Sequence, residues 1–316
     1  MPLYYLAHRL FAAHDRALAA RIADHLAQYV GSDTVFLPFC DTDEDALVAD
    51  TKGQLLYDLD RQRLDRADGL LALLHGPSLD DGVCMEIGYA AARAVPIVVA
   101  TTDFQTYGPT AHNSVSTFPD PLIDVVAQQI VRAHRLPAGN YHTAKNRLTA
   151  FAQQNHDLID RLGPRATAAL LDTASPAPLA SPPTTPPRLY IEPSPYIHDP
   201  RWQESVRALQ QHGWSTYTAA RLQVTTDVPA AARTDWSEAQ RCHAALVDVR
   251  GPETPPGAAL IAGMYTALKR PVYTMNPPGW WTFAHGREPN TRNLMVHYAI
   301  QRIAGPAELA TEMPSR

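Results

Sequence analysis

GLLALLHGPSLDDGVCMEIGYAAARAVPIVVATT, residues 69–102, decides how the chain folds. An apolar run of strand length ends at His75, a loop carries Gly76, Pro77 and Asp80, an Ala-rich helical pattern runs on from Gly82, and a second apolar run follows Pro96. Strand, loop, helix and strand in that order form a βαβ unit, which predicts a parallel sheet with helices on both faces. The alternation continues upstream through LYYLA (3–7), FAAHDRALAARIADHLAQYV (11–30) and TVFLPF (34–39). It reappears downstream as RLYIEP (188–193), DPRWQESVRALQQHG (199–213), WSTYTAA (214–220), HAALVDVRG (243–251) and RPVYTMNPP (270–278).

The two series are copies of one unit. GPSLDDGVCMEIGYAAARAVP (76–96) has a counterpart of equal length in GPETPPGAALIAGMYTALKRP (251–271), and at a constant offset of 175 residues the copies align without gaps from Asp60/Asp235 to Pro96/Pro271. Gly76, Pro77, Gly82, Gly88, Ala92 and Pro96 recur as Gly251, Pro252, Gly257, Gly263, Ala267 and Pro271, whereas Asp80 becomes Pro255 and Glu86 becomes Ile261. One copy has kept the glycines, expected in turns, and lost the acids. That asymmetry predicts one chemical site and one scaffold. Residues 144–171 read as a helix or two, and TASPAPLASPPTTPP (173–187) as an extended Pro-rich linker. The expected division is therefore residues 1–150, a helical segment and linker at 151–187, and a degenerate copy at 188–316.

At 316 residues the chain can bury two cores, and 45% hydrophobic and 19% charged residues with a net charge of −5 describe a soluble globular protein. No basic field exists for nucleic acid or an anionic membrane. Cys40, Cys84 and Cys242 are isolated, without CxxC spacing or a disulfide framework, which fits a reducing cytoplasm. The first residues, MPLYYLAHRLFAAHDRAL, are broken by His, Arg and Asp and do not read as a signal peptide, and no run approaches transmembrane length. Neither GxGxxG nor GxxxxGK[ST] follows a strand, the thirteen histidines lack ligand spacing, and no GxSxG elbow occurs. No cofactor or metal is expected.

In an open parallel sheet, ligands sit beyond the carboxyl ends of the strands, where His75 to Gly82 would lie. Glu86 is expected in the first turn or so of the following helix, where the helix dipole favours an ionised carboxylate. Such a group can displace a leaving group at a sugar anomeric carbon, with Asp80 acting on the leaving group or its proton. Capping and solvation remain the other reading of both acids.

YYLAHRLF (4–11), YDLDRQRLDRADG (57–69) and DDGVCMEIGYAAA (80–92) together resemble the nucleoside 2-deoxyribosyltransferase family, with Asp60, Asp80 and Glu86 at the family's intervals and Tyr5 at the end of the first strand. The resemblance covers most of the first copy and, more faintly, the second. It implies flavodoxin-like domains that cleave the N-glycosidic bond of a deoxynucleoside. Glu86 would attack C1′, Tyr5 would orient it, and Asp60 and Asp80 would bind the base, Asp80 shuttling the proton. The residues have other readings as well. Tyr5 lies where an aromatic is usually core, and Asp60 lies in a charge run that resembles a solvated helix face. His8 and Arg9 fall at the presumed cleft.

In that family an Asn-Leu-Met-like segment from a neighbouring subunit reaches the sugar hydroxyls. The corresponding first-copy region, TFPDPLIDVV (117–126), lacks it, while the second copy has TRNLMVHYAI (291–300). Complementary loss predicts a pseudo-twofold dimer within one chain, with Asn293 bonding a ribosyl hydroxyl and Met295 packing near base or sugar. A helix cap and a core filler are the alternatives. Trp280 and Trp281 could wall a base cleft or pack between the copies. Three activities are compatible: transfer of deoxyribose between bases, hydrolysis of a nucleoside or its 5′-monophosphate, and nucleoside binding without turnover. LAHRLFAAHD has no glycine to cradle a phosphate after the first strand, which favours a free nucleoside.

Overall fold

A computed structural model describes residues 1–42, 52–107, 115–133, 145–179, 188–211, 214–222, 227–251, 253–275 and 293–312. Trp280 and Trp281 lie outside the described residues. The first half builds β1 (Tyr4–Ala7), α1 (Ala13–Val30), β2 (Val35–Phe36), α2 (Lys52–Asp65), β3 (Gly69–Leu73), α3 (Asp81–Ala92), β4 (Ile97–Thr101), α4 (Leu122–Val126), β5 (Gln129–Arg132) and α5 (Arg147–Asp172). The second builds β6 (Arg188–Glu192), α6 (Pro200–Gln211), β7 (Ser215–Thr218), α7 (Val228–Arg241), β8 (Ala244–Val247), α8 (Pro256–Ala267), β9 (Val272–Thr274), α9 (Leu294–Ala299), β10 (Gln301–Arg302) and α10 (Pro306–Glu312).

The strands form two five-stranded sheets, ordered β2-β1-β3-β4-β5 and β7-β6-β8-β9-β10, with every pairing parallel. The order is the same in both and reverses direction between the first and third strands of each half, the place where doubly wound sheets open a crevice. β3 and β4 are buried along their whole length, as continuous apolar runs covered on both faces must be. The edge strands β5 and β10 escape the sequence reading. QIVR and QR are short and largely polar, because an edge strand buries little.

One cluster of buried side chains runs continuously through both halves, from Tyr5 and Leu70 through Met85 and Ile87 to Leu260, Met264 and Tyr190. Two further clusters fill the outer faces of the sheets. α1 and α5 cover the first, where Ile22, Leu26, Leu162 and Leu170 are buried, and Trp202 of α6 and Leu309 of α10 contribute to the second.

α3 crosses α8 at the centre of the molecule, and the crossing explains two of the shared glycines. A Cβ on Gly88 would lie 1.8 Å from the Leu260 carbonyl oxygen, and a Cβ on Gly263 would lie 1.9 Å from that of Met85. At the repeat offset Gly88 corresponds to Gly263 and Met85 to Leu260, so each contact is the pseudo-twofold image of the other, as in an isologous dimer interface. Hence these are crossing-point residues in mid-helix, not turn glycines. α2 packs on α9 and α7 on α4 in the same reciprocal way. Gly88→Ala or Gly263→Ala must push the helix backbones apart, and each is expected to cost about 3 kcal/mol or more, at or above the usual range for overpacking. Urea unfolding measures this; an unchanged midpoint in both variants would contradict the crossing geometry.

Candidate active site

β1 ends at the crevice, and Tyr5, fully buried in it, points its hydroxyl at α3. Tyr5 Oη donates to Glu86 Oε1 at 2.6 Å, and the ring packs on Phe36 with centroids 5.2 Å apart. Glu86 lies in the second turn of α3, one turn deeper than expected, because the helix starts at Asp81 with Asp80 as its N-cap. The depth changes its electrostatics. Dipole stabilisation fades beyond the first turn, while burial, and after it the charge of Asp60, raise the Glu86 pKa well above the ordinary carboxylate range; the Tyr5 hydrogen bond opposes them. The expectation of a dipole-favoured, readily ionised Glu86 is therefore corrected: desolvation and a neighbouring carboxylate win.

Asp80 takes the capping position. Oδ1 accepts from the Val83 amide at 2.9 Å, capping α3, while Oδ2 stands 3.6 Å from Arg9 Nε. Burial raises its pKa, and the Val83 amide and Arg9 oppose the rise. Asp60 sits on α2, on the same small cavity as Asp80 and Glu86, so its place is not a solvated face. His8, also on the cavity, is buried, bonded through its ring nitrogens to the carbonyls of Arg9 and Pro38, and kept towards the neutral form by burial.

The second half closes the cavity. Asn293, Leu294 and Met295 line it opposite Gly82 and Val83. Asn293 caps α9 by accepting from the Met295 amide at 3.0 Å, and its Nδ2 would lie 2.6 Å from a Cβ on Gly82. Gly82 is thus part of the helix, and it is small so that Asn293 can approach. A second strap crosses nearby. Glu253 accepts from Ser78 Oγ at 3.0 Å and pairs with Arg9 at 3.4 Å, and Asp81, buried, accepts from the Thr254 amide at 3.3 Å. Burial, then the charge of Asp80, push the Asp81 pKa up to about 7. Sequence reading passed over Glu253 because its counterpart in the first copy is Ser78, a residue of different chemistry.

The pseudo-equivalent place in the second half is filled. Leu189 pairs with Ala244 as Tyr4 pairs with Gly69, which makes Tyr190 the counterpart of Tyr5 and Glu192 that of Ala7. Tyr190 still donates to a carboxylate, now Glu192 Oε2 at 3.1 Å on its own strand. Arg221, with no exposed surface, bonds Asp120 through Nε and Nη2, both at 2.8 Å, Glu192 through Nη1 at 3.0 Å and Nη2 at 2.6 Å, and Asp235 at 3.3 Å. Its guanidinium lies over Gly257, the counterpart of Gly82: a Cβ there would meet Arg221 Nη2 at 1.9 Å. Asp120 accepts from the Leu122 amide at 2.9 Å, two residues ahead, as Asn293 does from Met295. The first half therefore reaches across as the second does, but with an acid that meets an internal cation. Asp120, Glu192 and Arg221 went unread because each comes from a different element, and only the closed fold brings them together.

Among the described residues no group of three or more His, Cys, Asp or Glu side chains could hold a metal ion, and no helix is long and apolar enough to cross a membrane. Cys40, Cys84 and Cys242 are free thiols.

Residues 4–161 match the family model described as nucleoside 2-deoxyribosyltransferase. No match exists among curated proteins. Of solved structures, a conserved protein from Enterococcus faecalis V583 is 31% identical over 34% of this chain and 68% of its own, with a TM-score of 0.29. CalG4, the calicheamicin glycosyltransferase, is 15% identical over 98% of this chain and 88% of its own, with a TM-score of 0.24. At these TM-scores neither bears on the fold or the chemistry.

Proposed function

The chain belongs to the nucleoside 2-deoxyribosyltransferase family, and from that premise we propose that it moves the deoxyribosyl group of a 2′-deoxynucleoside from one base to another through an ester on Glu86. One observation carries the reading: a single cavity gathers Asp60, Asp80 and Glu86, with Tyr5 bonded to Glu86, and takes its far wall, Asn293 to Met295, from the other half.

Glu86 Oε2 or Oε1 attacks C1′ while the glycosidic C–N bond breaks, and the bonding pair leaves with the base. Asp80, whose burial favours its protonated form, gives that base a proton at a ring nitrogen. A second base then attacks C1′, the Glu86 ester bond breaks, and Asp80 recovers a proton. Asp60 binds the base, and Tyr5 holds Glu86 on line and stabilises its anion. The chemistry needs Glu86 ionised and Asp80 protonated at once. Carboxylates crowded in one buried cavity titrate as a set and share the charge in this way.

Asn293 contributes its amide to a sugar hydroxyl and Met295 its thioether to the packing around the sugar. Asn293→Ala is expected to lower kcat/KM for a deoxynucleoside by about 10–100-fold, the loss of a hydrogen bond to substrate. Asn293→Asp keeps the capping oxygen, so a variant with unchanged melting temperature and reduced turnover separates substrate contact from helix capping. Wild-type kinetics in both variants would sink the composite site. Incubation of the unmodified chain with a deoxynucleoside and a different free base tests the activity itself. A new nucleoside supports transfer, free base and sugar alone indicate hydrolysis, and no turnover with purine or pyrimidine donors overturns both.

A further inference from the structure

α2, α9 and the C-terminal ends of α3 and α8 enclose an open cleft of about 730 Å³, lined by residues of both halves. Its charge is unlike that of the chain. Arg61, Arg93, Lys269 and Arg270 line it with one acid, Asp65, although the protein carries a net charge of −5. Asp65 is already shared: it accepts from Tyr89 at 2.8 Å and pairs with Arg93 at 3.5 Å. Arg61 pairs with Asp58 at 3.8 Å, yet its Nε is buried with no hydrogen-bond partner among the described residues, an uncommon and costly state for a guanidinium donor.

Cations at helix C-termini have an ordinary explanation, compensation of the dipole. Compensation does not require the cations of two helices and a third element to meet in one place. The duplication supplies a control, because each of the four cations has a counterpart at the 175-residue offset. Arg61 corresponds to Trp236, Arg93 to Leu268, Lys269 to Ala94 and Arg270 to Val95. Four cations line one cleft, two from each half, with Arg270 also donating through Nη1 to the Gln240 and Cys242 carbonyls, and none occupies the four mirror positions. Trp236 and Leu268 instead pack against the central apolar cluster. Lys269 stands at φ 56°, as its counterpart Ala94 does at 57°, in a left-handed conformation that suits glycine. A lysine is held there against its own preference.

We propose that this cleft binds the phosphate groups of a small anionic ligand, with Arg61, Arg93, Lys269 and Arg270 as its cationic walls. Guanidinium pairs suit phosphate oxygens through charge-assisted bonds. The shared chemistry is the phosphate; a free polyphosphate and a nucleoside phosphate are its two sources.

The test is calorimetric titration of the full chain with sodium pyrophosphate and with adenosine triphosphate, against sodium chloride at matched ionic strength. Saturable binding with Kd on the order of 10⁻⁴ M or tighter is expected for two or three such contacts. Lys269→Gly removes a charge and relaxes the positive φ, so the fold is not threatened. Combined with Arg93→Gln it is expected to weaken pyrophosphate at least tenfold. Equal affinity for the two probes assigns the site to phosphate alone, and tenfold tighter binding of the triphosphate assigns it to a nucleotide. Heats no larger than those of chloride, or affinities untouched by the two substitutions, overturn the proposal.

Discussion

Glu86→Gln is expected to lower transfer by at least about 10⁴-fold with the fold intact, the scale on which removal of a covalent nucleophile acts. The glutamine keeps an acceptor for Tyr5, whose hydroxyl lies 2.6 Å from Oε1, and removes only the anion that the ester requires. Stability gives an independent check. Burial and Asp60 hold the folded-state pKa of Glu86 well above its unfolded value. A raised acid contributes stability below the unfolded pKa and loses it as pH rises towards the folded one. The variant should therefore match the parent at low pH and be at least as stable at neutral and alkaline pH. Activity follows the same group with the opposite sense: kcat/KM of the parent should rise with pH along a limb displaced above the ordinary carboxylate range, as Glu86 ionises. Measurable transfer by Glu86→Gln, above the level of a mock preparation, would remove Glu86 from the chemistry.

Arg221→Met is expected to be the most destabilising substitution outside the catalytic cavity. In the native state the guanidinium is fully desolvated and satisfied by Asp120, Glu192 and Asp235, two of them from its own half and one from the other. Its removal leaves three carboxylates without their cation, and breaking a buried pair in this way costs about 3–5 kcal/mol. For a chain of this size that lowers the melting midpoint by about 5–8 °C. The deficit should shrink as pH falls, because the orphaned carboxylates take up protons in the folded variant. Replacing Asp120 by Asn and Glu192 by Gln in the same variant removes most of the uncompensated charge, and much of the loss should return. Thermal melts at two pH values decide the matter; a midpoint unchanged by Arg221→Met would mean that the cluster is not a bond between the halves. The single residue thus has two consequences in the proposed scheme. It fastens second half to first, and it fills the place that corresponds to the substrate cavity.

Much of this was legible in residue order. The alternation of apolar runs and helical patterns specified parallel sheets, and the gap-free offset specified two copies. The loss of Glu86 at Ile261 marked which copy carries the acids, and TRNLMVHYAI pointed to the segment of the other copy that lines the same cavity. All of these are local signals, written in spacing and residue type along a few turns of chain. The edge strands were not legible, because Gln129–Arg132 and Gln301–Arg302 bury too little to leave an apolar signature. Nor were the reasons for the glycines. Gly82 reads as a turn and Gly88 as another until Asn293 is found against the one and the Leu260 carbonyl against the other.

The sequence by itself determined the sheet class, the repeat and the position of the carboxylates, since periodicity and spacing act over short range. Only the tertiary structure decided how burial biases those carboxylates and what fills the corresponding place in the second copy. Burial and the nearness of Asp60 raise the Glu86 pKa, and Arg221 meets Asp120 across 101 residues of chain. Desolvation and ion pairing depend on distance in space, and no local pattern encodes which distant side chains will share a cavity.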